Sequence, residues 1–499
     1  MKRIAAIMII GLWGMSARAE EPGVRLSLKE AIRSAVEKNL DVKAELYNPA
    51  IAQADIRKNQ GIYDTRLSLA TDFKYSVTEP ASAFLAGSAT NRQKTLSIDP
   101  GVSQLIPLGG TLGLTFNNTF NNNNSNISLN NFWQSDLTLS LTQPLLKNLG
   151  REPTELAIMV ARNSRGESIE RFRSTLSDTV TRVRSEYYKL YSLREDLEVK
   201  KTSLLLARKI LTDTQARVKA GVLPAMEILN AEFGVASREK DLIDAEKAVR
   251  DQNDVLRVLL QLPGKEEIIP VDTPTKDPFA VNEEQMIRRA IDNRPEIREQ
   301  RTALRSRELE SRVARNRTLP DLNLTASTAL TGLDRRYNRD LEKIGAADFP
   351  VWSIGLQFEY PLGNNAAEND YIRTKLRLGQ ARTQVRSLEA NVENEVKTAI
   401  RGVESGFKQL DVTDRGKAFA EERLRSFIKR NEVGLATTKD VLDVENDLAA
   451  AKSNQIRALV GYSDAITQLW RATGEILERT GVQLSETEGD ALYEQHVRD

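Results

Sequence analysis

The sequence predicts an α+β membrane protein: β-strands form the wall of a transmembrane barrel, and long helices continue away from it as coiled coils. Three observations predict this. Runs of about ten residues alternate apolar and polar side chains, the pattern of a strand with one lipid-facing and one wet face. Long helical stretches carry apolar residues at every seventh position. A helix–strand–hairpin order also occurs twice within the 499 residues.

The strand signal is clearest from Arg66 to Val77. Leu67, Leu69, Phe73, Tyr75 and Val77 share one face, and Arg66, Ser68, Asp72, Lys74 and Ser76 share the other. The same alternation sets Leu137, Leu139 and Leu141 against Asp136, Thr138 and Ser140, and Ile354, Leu356 and Phe358 against Ser353, Gln357 and Glu359. Leu322 and Leu324 mark a fourth run. By alternation alone, a soluble antiparallel sheet fits as well as a barrel wall. Nothing after Ala19 is a long uncharged apolar run, so strands are the only expected means of spanning a bilayer.

The helical arms show the other period. Ile228, Val235, Leu242, Val249 and Leu256 fall seven apart, as do Val444, Ala451, Ala458, Ala465 and Ala472. Val180, Val183, Tyr187 and Leu190 lie in the arm before the first set, and Val385, Val392, Val396 and Val403 in the arm before the second. An arm from about Pro153 to Lys219 extends about 100 Å, several bilayer thicknesses. Gly221 and Gly434 are placed to end incoming helices. Pro224 suits a first helical position, and Thr437 with Asp440 makes a T-x-x-D helix start.

The duplication sets the domain boundaries. Residues 31–42 match 286–297 without a gap, 255 positions apart, whereas Gly221-Val222 matches Gly434-Leu435 at a separation of 213. The first half therefore carries an insertion, expected within 78–132. It contains two further alternating pieces, Lys94–Ile106 and Thr111–Phe116, separated by Pro107-Leu108-Gly109-Gly110. Their place in or above the wall is open. The asparagine run Asn121–Asn124 reads as an exposed polar loop. The expected plan is a first repeat at 20–261, a proline-rich linker at 262–283, a second repeat at 284–480 and a polar tail at 481–499.

Lys2 and Arg3, an apolar run to Met15 and Ser16-Ala17-Arg18-Ala19 form the expected signal peptide, 1–19. Composition narrows the chemistry. The sequence has no cysteine, hence no thiolate ligand, disulfide or site for an amino-terminal lipid. Its one histidine is His496, so neither a nucleophile–histidine pair nor a zinc cluster of the usual kind can be assembled, and no cofactor is expected. Basic and acidic residues nearly cancel, 71 against 70, which gives no footprint for nucleic acid.

Three pieces, taken in order and twice over, resemble the TolC family of outer-membrane efflux proteins. They are Leu141-Thr142-Gln143-Pro144-Leu145-Leu146 at a strand end, Pro361-Leu362-Gly363 in the equivalent place, and Val433-Gly434-Leu435 followed by Asp440-Val441-Leu442 at a hairpin tip. The resemblance covers almost the whole mature chain. It implies a homotrimer in the outer-membrane lipid, each subunit giving four strands to one twelve-stranded barrel and its helices to a periplasmic tunnel. It also implies docking to a periplasmic adaptor and an inner-membrane pump. Competing expectations are a periplasmic adaptor and a soluble coiled-coil scaffold.

The candidate site lies at the tips. Threefold symmetry would turn Asp440 and Asp443 into carboxylate rings, which favour cations. In the family, acidic residues at these positions line the periplasmic constriction, and Glu227 matches an acidic position at the other tip. The plain alternative is that these acids only complement a helix amino terminus. Segments 220–225 and 433–438, with Gly221, Val222, Leu223, Gly434, Leu435 and Thr437, are the expected adaptor surface. Where the family's best-known member latches the tip with a tyrosine and an arginine, this chain has Asn431 and Ala436, so closure must use other contacts.

Overall fold

The computed structural model describes residues 23–79, 90–124, 129–483 and 488–498. The expected signal peptide and Asn126 of the asparagine-rich segment lie outside them. The strands are β1 (Val24–Leu26), β2 (Arg66–Thr78), β3 (Asn91–Leu105), β4 (Thr111–Asn123), β5 (Asn131–Pro144), β6 (Ile268–Pro270), β7 (Asp321–Asp334) and β8 (Pro350–Glu359). The helices are α1 (Leu28–Lys38), α2 (Leu40–Gln60), α3 (Arg151–Lys219), α4 (Met226–Leu260), α5 (Glu283–Asn293) and α6 (Pro295–Asn316). They continue with α7 (Tyr337–Ala346), α8 (Asn365–Glu432), α9 (Thr438–Ala472), α10 (Ile476–Arg479) and α11 (Glu488–Arg498). The chain divides into two units, and α3 and α8 run through both.

The first unit holds the sheet, in the order β2-β3-β4-β5-β7-β8 with every neighbouring pair antiparallel. Its register aligns Leu67, Val102, Leu114, Leu139, Thr328 and Trp352 in one cross-strand row. Since side chains alternate along each strand, that row fixes one face as apolar across all six strands. Leu67 is 81% exposed in the single chain, and Phe73, Ile354 and Leu356 are exposed as well. A face this apolar and this open matches a lipid boundary and not a soluble core. Among the described residues, no helix is long and apolar enough to cross a membrane.

Two expectations are corrected here. The family resemblance implied four strands per subunit; the sheet has six, because the two pieces within 78–132 pair as a hairpin between β2 and β5. Gly109, at φ +88°, turns that hairpin, with Gly109 N donating to Ile106 O at 2.9 Å and Ile106 N to Gly110 O at 2.8 Å. The asparagine run is not a loop up to Asn123, since β4 continues through it. Asn122 Nδ2 donates to Asn131 Oδ1 at 2.6 Å, and Gln93 Nε2 donates to Asn121 Oδ1 at 3.2 Å. Cross-strand amide pairing satisfies groups that composition alone assigns to solvent.

Within the polar tail, residues 488–498 form α11, which lies in this unit, and Asp490 receives Arg165 Nη2 at 2.7 Å on each carboxylate oxygen. Beyond the sheet's loop end, α7 packs so closely on β7 that a Cβ at Gly332 would lie 2.3 Å from Asp340 O. Trp133 stacks obliquely on Tyr337 with centroids 4.7 Å apart. Replacing Gly332 with alanine is expected to cost about 1–3 kcal/mol through overpacking. Urea unfolding followed by tryptophan fluorescence would show it, and an unchanged midpoint would contradict the close packing.

The second unit is helical. Its core joins Val180, Val183, Tyr187 and Leu190 of α3 to Val249 and Leu256 of α4, residues that the seven-residue spacing placed on seams. The linker 262–283 is tied to the helices. Its β6 pairs in parallel with β1, and the buried hydroxyl of Tyr187 accepts from Val271 N and Asp272 N at 3.0 Å each while donating to Leu26 O at 2.9 Å. Tyr462 holds the far end, its hydroxyl donating to Asp277 O at 2.7 Å and accepting from Phe279 N at 3.0 Å. Tyr187→Phe keeps the ring but removes the acceptor of Asp272 N, while Val271 N still donates to Leu26 O at 3.2 Å. It should cost about 1–3 kcal/mol, and faster amide exchange at Asp272 than at Val271 would be the direct sign.

Candidate functional site at the hairpin tips

Both tips fold by the same local rule. Gly221 (φ +76°) and Gly434 (φ +77°) take the left-handed conformation that a side chain resists. Val222 N donates to Arg217 O at 2.9 Å and Gly221 N to Val218 O at 3.0 Å; Leu435 N donates to Arg430 O at 2.8 Å and Gly434 N to Asn431 O at 3.1 Å. Each pair is a Schellman cap, which satisfies the last carbonyls of α3 and α8. In such caps the next apolar residue usually folds back on its helix. Here Val222 and Leu435 instead stay about 70% exposed.

The outgoing helices start differently. At α9, Thr437 Oγ1 accepts from Asp440 N at 3.1 Å, and Asp440 Oδ2 accepts from Thr437 N and Oγ1 at 2.8 Å each. This reciprocal box is the T-x-x-D start that the sequence indicated. These hydrogen bonds, the backbone N–H of Thr437 first, hold the Asp440 carboxyl below its usual range. At α4 the helix begins at Met226, two residues later than Pro224 suggested, and its cap position, Ala225, offers no side-chain acceptor.

The three acids therefore differ. Along α9, Val441, Leu442, Val444 and Glu445 are buried while Asp443 is exposed, so Asp443 lies on the open side of the helix. Asp440 is half-exposed with its carboxylate turned into the cap. Glu227, in the first turn of α4, has a buried Oε2 without a hydrogen-bond partner. Leu223 is half-buried beside exposed Gly221, and Thr437 is exposed beside Gly434.

Several contacts at the tips escape sequence reading. Arg217 Nη1 donates to Asn431 O at 2.9 Å and to Asn431 Oδ1 at 3.2 Å, and Asn431 Nδ2 donates to Ala436 O at 2.9 Å. Asn431 and Ala436, noted as departures from the family's latch, thus join the two hairpins through Arg217. Farther along, Glu445 is buried with Arg238 at 3.0 Å, and Ser203 Oγ donates to its other oxygen. On the outer side of α4, exposed Met226, Leu229 and Phe233 form a stripe at three- and four-residue spacing. That stripe is legible in the sequence beside the seam at Ile228 and Val235.

The family model described as outer membrane efflux protein matches residues 103–260 and 286–475. The outer membrane efflux protein BepC of Brucella suis is 24% identical over 328 residues, 65% of this chain and 69% of that one. Among solved structures, CusC shares 16% identity with a TM-score of 0.66, covering 91% of this chain and 93% of its own. The CmeC outer membrane channel of Campylobacter jejuni shares 13% identity with a TM-score of 0.65, covering 93% and 89%. The chain belongs to the outer membrane efflux protein family, the TolC-like channels, and is an outer-membrane protein whose helical part lies in the periplasm.

Proposed function

We propose that the chain is the outer-membrane exit duct of a tripartite efflux or type I secretion system. Three copies would share one barrel and one helical tunnel, passing substrates from a periplasmic adaptor and an inner-membrane pump to the exterior. The observation that carries this reading is the union, in one chain, of a sheet with a continuous exposed apolar face and two helical hairpins with apolar tips. The sheet fits lipid, and the tips, with Val222, Leu223, Leu435 and the Met226 stripe, fit helical partners. In this arrangement Asp440 and Asp443 form the constriction, Glu227 contributes from the other tip, and the Arg217–Asn431 bond takes the place of the family's latch. The duct is passive, and its pump supplies the energy.

The competing reading, an adaptor or a soluble coiled-coil scaffold, gives no role to an apolar face spanning six strands. Purified protein reconstituted in planar bilayers is expected to give stepwise conductance and to run as a trimer after mild cross-linking. Release from membranes by a salt wash, with no conductance, would sink the duct in favour of a scaffold. Arg217→Ala is expected to raise the fraction of time that the pore conducts, several-fold, in the same recordings. No change would remove Arg217 from closure.

A further inference from the structure

We propose that the barrel of this protein has eighteen strands, not twelve, and that the hairpin β3–β4 widens the lumen to admit large hydrated polar solutes. The inference rests on the trimeric duct proposed above. Three copies of a six-stranded sheet make eighteen strands.

The hairpin is an integral part of the wall. Strand β3 pairs with β2 from Arg66↔Ser103 to Thr78↔Asn91, and β4 pairs with β5 from Thr111↔Thr142 to Asn122↔Asn131. If the hairpin stood off the wall, β2 and β5 would have to pair directly. The parity also permits closure: six alternating strands leave β8 running opposite to β2, so β8 of one copy meets β2 of the next in an antiparallel pair. The two edges suit each other in length, 10 and 13 residues, and both are exposed nearly throughout. Sheet edges as long and apolar as these are aggregation hazards unless covered, and ring closure removes them. A second copy of the chain is therefore the occupant that each edge calls for.

Width follows from strand number. At a strand spacing of about 4.8 Å and a tilt of about 40°, eighteen strands give a backbone radius of about 18 Å and twelve about 12 Å. Allowing about 6 Å for inward side chains, the open radius is roughly doubled. The hairpin's face opposite the leucines carries Thr95, Ser97, Thr115, Asn117, Thr119 and Asn121. It adds hydroxyl and amide groups, suited to hydrated polar solutes and not to apolar ones.

Electron cryomicroscopy of the full-length protein in nanodiscs should count eighteen strands. A twelve-stranded ring with the hairpin outside it would overturn the proposal and leave the duct standing; absence of any closed ring would overturn the duct itself. The cysteine-free chain allows a second test by disulfide formation, which needs Cα atoms within about 7 Å. The pairs Asp72→Cys with Ser97→Cys and Thr119→Cys with Gln134→Cys should cross-link on oxidation. Asp72→Cys with Gln134→Cys, three strand spacings apart in this register, should not, and the reverse pattern refutes the wider wall. Deleting residues 91–123 leaves β2 antiparallel to β5. It should lower the radius of the largest polymer entering from outside about twofold, and an unchanged cutoff would also refute the claim.

Discussion

Replacing Glu445 with leucine is expected to destabilise the packing of the two hairpins by about 3–5 kcal/mol, because it strands the guanidinium of Arg238. The two side chains are 4% and 11% exposed and meet at 3.0 Å, and Arg238 Nη2 also donates to Leu442 O at 3.0 Å. A charge removed from water is tolerated only while its partner is present. Without Glu445, Arg238 must find water or drag it into the seam, and the hydroxyl of Ser203 loses its acceptor as well. Replacing both, as Glu445→Leu with Arg238→Met, should recover most of the loss, since an apolar pair of similar volume is often neutral or better. Denaturant midpoints of the single and double variants decide the matter. Equal losses in the two would show that packing volume, and not the charge pair, holds the hairpins.

That pair shows where sequence reading stops. The seven-residue spacing at Val180, Val183, Val249 and Leu256 was enough to place the buried seams, because a helix turns every residue of one period to one side. The glycines at 221 and 434 and the T-x-x-D box were legible because caps are local: a few adjacent residues satisfy one another. Glu445 and Arg238 lie 207 residues apart, and nothing local marks either as buried. Arg217 and Asn431 are hidden in the same way. Tyr187 looked like an ordinary seam residue, yet its hydroxyl and that of Tyr462 tie down a segment whose prolines read as a linker.

The strand count failed for another reason. Four strands came with the family resemblance, and the alternation in 94–106 and 111–116 was weaker evidence than the family pattern. The asparagines of β4 then hid its length, because asparagine is depleted in strands unless neighbouring strands satisfy its amide. Of the tip acids, the sequence located all three but not their differences. Asp440 serves the cap, Asp443 faces outward, and Glu227 has a buried oxygen without a partner.

That difference yields the second large effect. Asp443→Asn is expected to reduce cation preference several-fold in planar bilayers while leaving stability unchanged, because Asp443 is exposed and outside the cap. Asp440→Asn should reduce preference too, but it should also loosen the start of α9, since it weakens the acceptor for Thr437 N and Oγ1. Thr437→Ala separates the two roles: it keeps the Asp440 charge, removes the box and should cost about 1 kcal/mol. The pH response has a definite sign. The folded carboxyl of Asp440 titrates below its unfolded value of about 3.9. Its contribution is therefore full above that value and is lost as pH falls through the lower, folded one. Acidifying from pH 7 to about 5 should leave the Asp440 share of selectivity intact in Asp443→Asn channels, and Thr437→Ala should move its loss to higher pH. Selectivity that is indifferent to both aspartates would reduce them to helix caps and place the constriction elsewhere along the tunnel.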